Sequence, residues 1–359
     1  MKKYLFTIAT LCFSTVSCVE EWTLSSQGED VSNVLNVVAH ASLYNNTLSF
    51  NANTAQFSSG IAEIASYSQD SLILDLTVGD TTYPLRKSWS DRGENLGFCL
   101  NGINVPEGLR DISFMIHDPK GNFKDVCSQT VFSDKVRASF EVVPTKFSGK
   151  NGYPINYLDS LYTASITIHD PVDKNNYYMI AVEFLAWTGI NSTRSYDAKR
   201  DHYDYIESIW KKAGYFPFSS SDPVFIDSDI TSSVNGYDVG FSNVFDDDLF
   251  NGEDYTIRIC FKNIFPYYYN ENASYSEPVI DYERLLQFKT NAFTPFKIYL
   301  CSMTEEDYKY YKKLQHTACK KHSIFDEPAS MPSNIQDGYG YFSTFNITEF
   351  FYFDGKIYW

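Results

Sequence analysis

Leu72-Ile73-Leu74-Asp75-Leu76-Thr77-Val78, then Gly79-Asp80, then Thr82-Tyr83-Pro84-Leu85, is the stretch that decides the fold class. An apolar, strand-forming run meets a two-residue break that tolerates positive φ, and a second run follows at once. That is a hairpin signal. The same pattern extends in both directions. Residues 34–38 and 48–52 read as strands upstream. Residues 112–116 and 123–131 flank the turn Pro119-Lys120-Gly121-Asn122, and residues 138–143 make a further strand. No helical period precedes residue 150, so residues 33–150 are expected to form an immunoglobulin-like β-sandwich.

Downstream, 148–154 (Ser-Gly-Lys-Asn-Gly-Tyr-Pro) is rich in turn formers and reads as a boundary. Strands are expected at 161–168 and 177–184, then at 224–226, 255–261, 285–288 and 296–302, and finally at 339–345 and 349–353. The string Ile-His-Asp-Pro occurs at 116–119 and again at 168–171, each time closing a strand before a turn. Asp-Pro is a favoured turn start, which accounts for both copies; the alternative is a pair of related sandwiches. Two helices are expected. Residues 197–213 are charged, with Tyr203, Ile206 and Trp210 at helical spacing before Gly214. The second starts at Thr304-Glu305-Glu306-Asp307, where Thr304 caps the open amides and three acids meet the positive end of the dipole. It runs to about Lys320. The class is therefore all-β with two short helices, arranged as two β-sandwich domains. The expected division is a signal peptide at 1–17, a tether at 18–32, the first sandwich at 33–150 and a β-rich C-terminal domain at 151–359.

Composition bounds the function. The chain of 359 residues has a formal charge of −16, which disfavours nucleic acid because phosphate binding needs clustered cations. It also disfavours electrostatic adhesion to anionic lipid. Met1-Lys2-Lys3 followed by an uncharged apolar run to Val16 has the size of a secretory leader and is too short to span a bilayer. Ser17-Cys18 follows, so Cys18 is expected to be the acylated N-terminus, although Thr15 stands where Leu is usual. Contact with the membrane would then be through the lipid anchor alone. Glu20 and Glu21 place acids beside it, like a tag for the outer face of the outer membrane. Of the cysteines left, Cys260 and Cys301 lie in apolar runs and read as buried thiols, whereas Cys99 and Cys127 are either thiols or a disulfide.

Several stretches of the second half resemble one lipoprotein family. They are Asp170-Pro171, Asn176-Tyr177-Tyr178, and the run from Phe245 through Asp246-Asp247-Asp248 to Gly252 and Tyr255. Next come Leu300 through Thr304-Glu305-Glu306-Asp307 to Tyr311, Phe325-Asp326-Glu327-Pro328, and Ser333-Asn334-Ile335-Gln336-Asp337-Gly338-Tyr339-Gly340. Their order and spacing are similar to the Bacteroidetes domain-of-unknown-function 4249 (DUF4249) family across roughly residues 155–345. The first half matches only in its strand pattern. The resemblance implies an exported β-rich lipoprotein, often encoded near TonB-dependent outer-membrane receptors, and supplies no catalytic residue.

The residues themselves point the same way. There is no His-Glu-x-x-His, no Gly-x-Ser-x-Gly and no phosphate loop, and the six histidines are scattered. No catalytic residue, metal site or cofactor is expected. Asp246-Asp247-Asp248 lacks EF-hand spacing and reads as a solvated loop or helix cap rather than a calcium site. Asn334 and Asp337 are expected to bond neighbouring backbone, with Gly338 and Gly340 allowing a tight loop. Tyr267, Tyr268 and Tyr269 lie in a Tyr- and Asn-rich stretch and are the expected ligand-contact residues, because exposed tyrosines give rigid contact area. Alternatively they close the core. The expected function is a non-enzymatic, surface-exposed outer-membrane lipoprotein that binds a glycan, peptide or protein beside a TonB-dependent receptor. The alternatives are a fimbrial subunit whose donated strand would be 345–359, or a hydrolase with an interdomain cleft.

Overall fold

The computed structural model describes residues 34–56, 71–89, 95–144, 161–172, 174–187, 210–216, 218, 220–226, 231–234, 237–240, 242–262, 296–319, 331–353 and 356–358. The expected leader, tether and Cys18 lie outside these residues, as do the expected strand 285–288 and Tyr267, Tyr268 and Tyr269. Among the described residues no helix is long and apolar enough to cross a membrane.

The first seven strands are β1 (Leu35–Tyr44), β2 (Thr47–Gln56), β3 (Ile73–Val78), β4 (Thr81–Trp89), β5 (Asn95–Asn104), β6 (Asp111–His117) and β7 (Val126–Val131). The β3–β4 hairpin forms where expected. Val78 pairs with Thr81 across Gly79-Asp80, and Gly79 has a φ of +56°. Leu74, Leu76 and Val78 face inward while Ile73, Asp75 and Thr77 face out. Residues 81–86 of β4 pair with β3, and residues 87–89 pair with β5. The strand thus turns the corner between two facing layers. Phe50 from β2 and Phe114 from β6 pack between those layers with ring centroids 6.2 Å apart.

The second half adds β8 (Arg137–Pro144), β9 (Leu161–His169), β10 (Tyr177–Trp187), β11 (Trp210–Phe216), β12 (Thr231–Val234), β13 (Tyr237–Gly240), β14 (Val244–Asp246), β15 (Asp254–Lys262) and β16 (Phe296–Met303). The helix α1 (Glu305–Cys319) follows, then β17 (Tyr339–Phe353) and β18 (Lys356–Tyr358). A second sandwich forms where β15-β9-β8 faces β11-β10-β16-β17. Its core includes Phe140 stacked on Phe350 at 4.7 Å and Tyr162 against Phe296 at 5.0 Å. The all-β class with sandwiched sheets is therefore what the chain adopts.

One strand belongs to both sandwiches. Residues 339–347 of β17 run parallel to β1, and residues 346–352 run antiparallel to β16. Phe342 enters the first core, 5.1 Å from the Phe114 ring, while Phe350 and Tyr352 enter the second. The boundary expected near 150 falls between β8 and β9, which pair with each other. Hydrogen bonding therefore does not divide there: β8 joins the second sandwich and β17 returns to the first. Turn-forming residues reveal a break in a strand, but they carry no information about distant pairing.

Two local expectations are corrected. Residues 210–213 are not helical; Trp210 pairs with Trp187 and Lys212 with Leu185 in β11, so pairing with β10 overrides the helical spacing. The rest of that expected helix, 197–209, lies outside the described residues. The expected strand 224–226 is instead a 3-10 turn at Pro223–Phe225, capped by the Asp222 side chain accepting from Val224 N.

Strand directions give the molecule two ends. Residues 131–136 join the sandwiches and are held by β17: Thr344 Oγ1 donates to Val131 O, Asn346 Nδ2 to Ser133 O and Thr348 Oγ1 to Val136 O. From this joint β8, β10, β15 and β17 run outward, while β9, β11 and β16 run back. The ends Pro144, Leu161, Trp187, Trp210, Lys262 and Phe296 consequently share the far end of the second sandwich. Because β1 and β17 are parallel, Leu35, the first residue of β1, sits at the opposite end of the molecule.

Candidate functional site

The described motif residues of the second half lie at the joint or along the β1-paired part of β17, and 325–328 lie outside the described residues. Thr304 caps α1 as expected, its Oγ1 accepting from Asp307 N at 3.1 Å. Asp307 turns under the helix, where its Oδ2 accepts from Thr304 Oγ1 at 2.9 Å and from Thr344 N and Oγ1 at 3.2 Å each. Two residues away, Asn334 Oδ1 accepts from Phe342 N at 2.7 Å, and its Nδ2 donates to Phe342 O at 2.8 Å. β16 covers β17 only from residue 346 onward. Asn334 and Asp307 supply side-chain partners to the strand edge that β16 leaves bare. Burial pushes the Asp307 carboxyl up to about 7.

Close approach accounts for the glycines. A Cβ on Gly340 would lie 1.9 Å from Val37 O, with φ at +108°, and one on Gly338 would lie 2.8 Å from Val126 Cγ1. Asp337 takes a φ of +61° and pairs with Lys124 at 2.5 Å. The loop expected at 334–340 is thus a tight support for β17 against β1.

A second group of motif residues ties two turns together. Asp170 Oδ1 accepts from Tyr178 OH, and its Oδ2 accepts from Gly252 N at 2.8 Å. Asp247 Oδ2 accepts from Asn176 N at 2.7 Å and from Asn176 Nδ2 at 3.1 Å. Burial raises the Asp247 pKa, and the Asp170 charge adds to the rise. The expected solvated run 246–248 is therefore divided. Asp246 accepts from Tyr308 OH at 2.8 Å, Asp247 is buried, and Asp248 is exposed. The other Ile-His-Asp-Pro copy does similar work: Asp118 accepts from Ser71 Oγ, Lys120 N and Asn122 N.

Two groups went unnoticed in the sequence because their members are far apart in the chain. Under α1, His40 Nδ1 lies 2.6 Å from Ser343 Oγ, and Tyr311 OH lies 2.9 Å from the same oxygen. Burial lowers the His40 pKa to about 4, so the ring is neutral. A Ser–His contact is the germ of acyl transfer, but Ser343 is fully buried, which closes its oxygen to a substrate. On the same face of β10–β16–β17, Tyr299 OH donates to Glu183 Oε2 and Lys297 Nζ pairs with Glu349 Oε1 at 2.8 Å. Glu183 and Lys297 are 2% and 7% exposed. A glycosidase needs two carboxylates facing an accessible bond; here both are engaged by a phenol and an ammonium.

The cysteine question is settled for four residues. Cys99, Cys127, Cys260 and Cys301 are all thiols, so the Cys99–Cys127 disulfide does not form. Cys99 accepts from Asn51 Nδ2 at 3.0 Å, while Cys127 bonds Gln336 Oε1 at 3.5 Å. Only Cys301 of the expected buried pair is fully buried, and Cys260 is half-buried beside Thr163. Among the described residues no three His, Cys, Asp or Glu side chains converge to hold a metal.

Comparison with known proteins gives one family. The model described as "Domain of unknown function (DUF4249)" matches residues 118–350, more than half of the chain. No curated protein matches. Among solved structures, the partial N-terminal region of an enterococcal surface protein is similar over 78% of this chain and 93% of its own, at 10% identity and a TM-score of 0.15.

Proposed function

The chain belongs to the DUF4249 family, and from that premise we propose that it is a lipid-anchored binding protein of the outer-membrane surface, an accessory to a TonB-dependent receptor. Cys18 carries the anchor and Tyr267, Tyr268 and Tyr269 contact the ligand. The observation that supports this reading most is the distribution of strand ends. Lys262 and Phe296, which bound the stretch containing the three tyrosines, both stand at the far end of the second sandwich. The stretches 145–160 and 188–209 leave and return at the same end. Recognition is commonly carried by the connections at one end of a sandwich. Asp170, Asp247 and Asp307, by contrast, are spent on hydrogen bonds within the fold.

The test is affinity capture of the protein from crosslinked outer membranes, with mass spectrometry of what accompanies it. Recovery of one TonB-dependent receptor, lost in Tyr267→Ala/Tyr268→Ala/Tyr269→Ala, is expected. Recovery of the chain alone in ladders would replace this reading with a fimbrial subunit. Cys18→Ala should release the protein from membranes; persistence there would remove the anchor from the proposal.

A further inference from the structure

We propose that Lys297 and Glu349 condense into an intramolecular amide crosslink between β16 and β17, which makes this pair a self-modification site. The inference does not rest on the proposed function. Lys297 Nζ lies 2.8 Å from Glu349 Oε1, and the two side chains are only 9% and 13% exposed. Strand alternation puts Lys297 and Tyr299 on one face of β16, and Glu349 and Phe351 on one face of β17. Phe351 and Tyr299 are buried there, and the Lys297 ammonium stands 5.9 Å from the centre of the Phe351 ring. A third ionisable group joins them. Glu183 of β10 is the cross-strand partner of Lys297, and such partners have Cβ atoms about 4.5–5.5 Å apart. Glu183 is 2% exposed and accepts from Tyr299 OH. An amine, the carboxyl group it touches and a second carboxylate thus meet on one shielded sheet face.

A buried ion pair keeps two charges from water at a desolvation cost that their attraction offsets poorly. Condensation removes both charges. The ammonium passes one proton to Glu349, which leaves a neutral amine beside a neutral acid. Nζ then attacks Cδ. Glu183 takes a second proton from Nζ and delivers it to the departing hydroxyl, as a general base and then a general acid. The Nζ–Cδ bond forms, one Cδ–O bond breaks, and one water leaves with both protons. The third proton stays on the amide nitrogen. No other reactant is consumed, and Glu183 ends as it began. Exclusion of solvent from this face opposes the reverse hydrolysis.

The experiment is mass spectrometry of the full mature chain, made without its leader, purified folded and then denatured. The wild-type mass should fall short of the sequence mass by one water. Proteolysis should release a branched peptide that carries both Lys297 and Glu349. Lys297→Met lacks the nucleophile and should have the full sequence mass. Glu183→Gln keeps both joined residues and should also have the full mass, with the circular dichroism spectrum of the folded protein. Folded wild-type protein at the full sequence mass would overturn the proposal and leave an ion pair. Loss of water mapped to Asp337-Gly338 would overturn it in favour of a backbone succinimide. A crosslink that still forms in Glu183→Gln would overturn the role given to Glu183.

Discussion

At the scale of single residues, the polar side chains that matter are those that stand in for a missing strand. Asn334 bonds both the N–H and the C=O of Phe342. Asn334→Ala leaves both groups buried and unmatched, so unfolding free energy should fall by about 2–4 kcal/mol, taking ~1–2 kcal/mol for each. Urea denaturation measures this. The sequence reading identified Asn334 as a backbone-binding residue from its setting among glycines. It did not identify Asp307 as buried, since three acids at a helix start look alike until the helix is docked.

Two buried groups beneath α1 titrate in opposite senses. Asp307 has a folded pKa near 7 against an ordinary 3.8, so the folded state holds the extra proton and stability falls as pH rises from about 4 to 7. His40 has a folded pKa near 4 against 6.5, so the unfolded state holds the extra proton and stability rises with pH over about 4 to 6.5. The two slopes oppose each other. Measured against wild type by denaturation across this range, Asp307→Asn should gain relative stability as pH rises, and His40→Gln should gain it as pH falls. Parallel profiles for all three proteins would contradict the assignment.

At the scale of elements, the legible parts were those with local signals. The β3–β4 hairpin had its Gly-Asp turn. Helix α1 had a capping threonine and an acidic first turn, and Thr304→Ala should cost about 1 kcal/mol in denaturation. The β1–β2 turn was missed although Asn45 and Asn46 both take positive φ, the arrangement a tight hairpin requires. β11 was misread because Tyr203, Ile206 and Trp210 imitate a helical stripe, whereas its pairing with β10 is a distant event. The 3-10 turn at Pro223–Phe225 looked like a strand because Val224, Phe225 and Ile226 are strand formers; Asp222 and Pro223 were the signal overlooked.

At the scale of the whole molecule, β17 governs. No local property of residues 339–353 shows that one strand will lie parallel to β1 and antiparallel to β16, so the sequence suggested two domains with a boundary near 150. The shared strand predicts one cooperative transition. Phe342→Ala and Phe350→Ala remove rings from different cores, each at about 3–5 kcal/mol, yet each should lower a single melting transition monitored by calorimetry. Two separable transitions, with each variant moving only one, would show that the sandwiches unfold independently.

The same strand sets the geometry of the proposed function, because it puts the far end of the second sandwich opposite the end where the described chain begins. The most direct test is site-specific photo-crosslinking in intact cells from exposed positions of known place. A photoreactive residue at Val143, beside the far end, should capture the ligand or its receptor, whereas one at Leu249, beside the joint, should not. Capture from Leu249 with none from Val143 would contradict the account and move recognition to the motif-built joint.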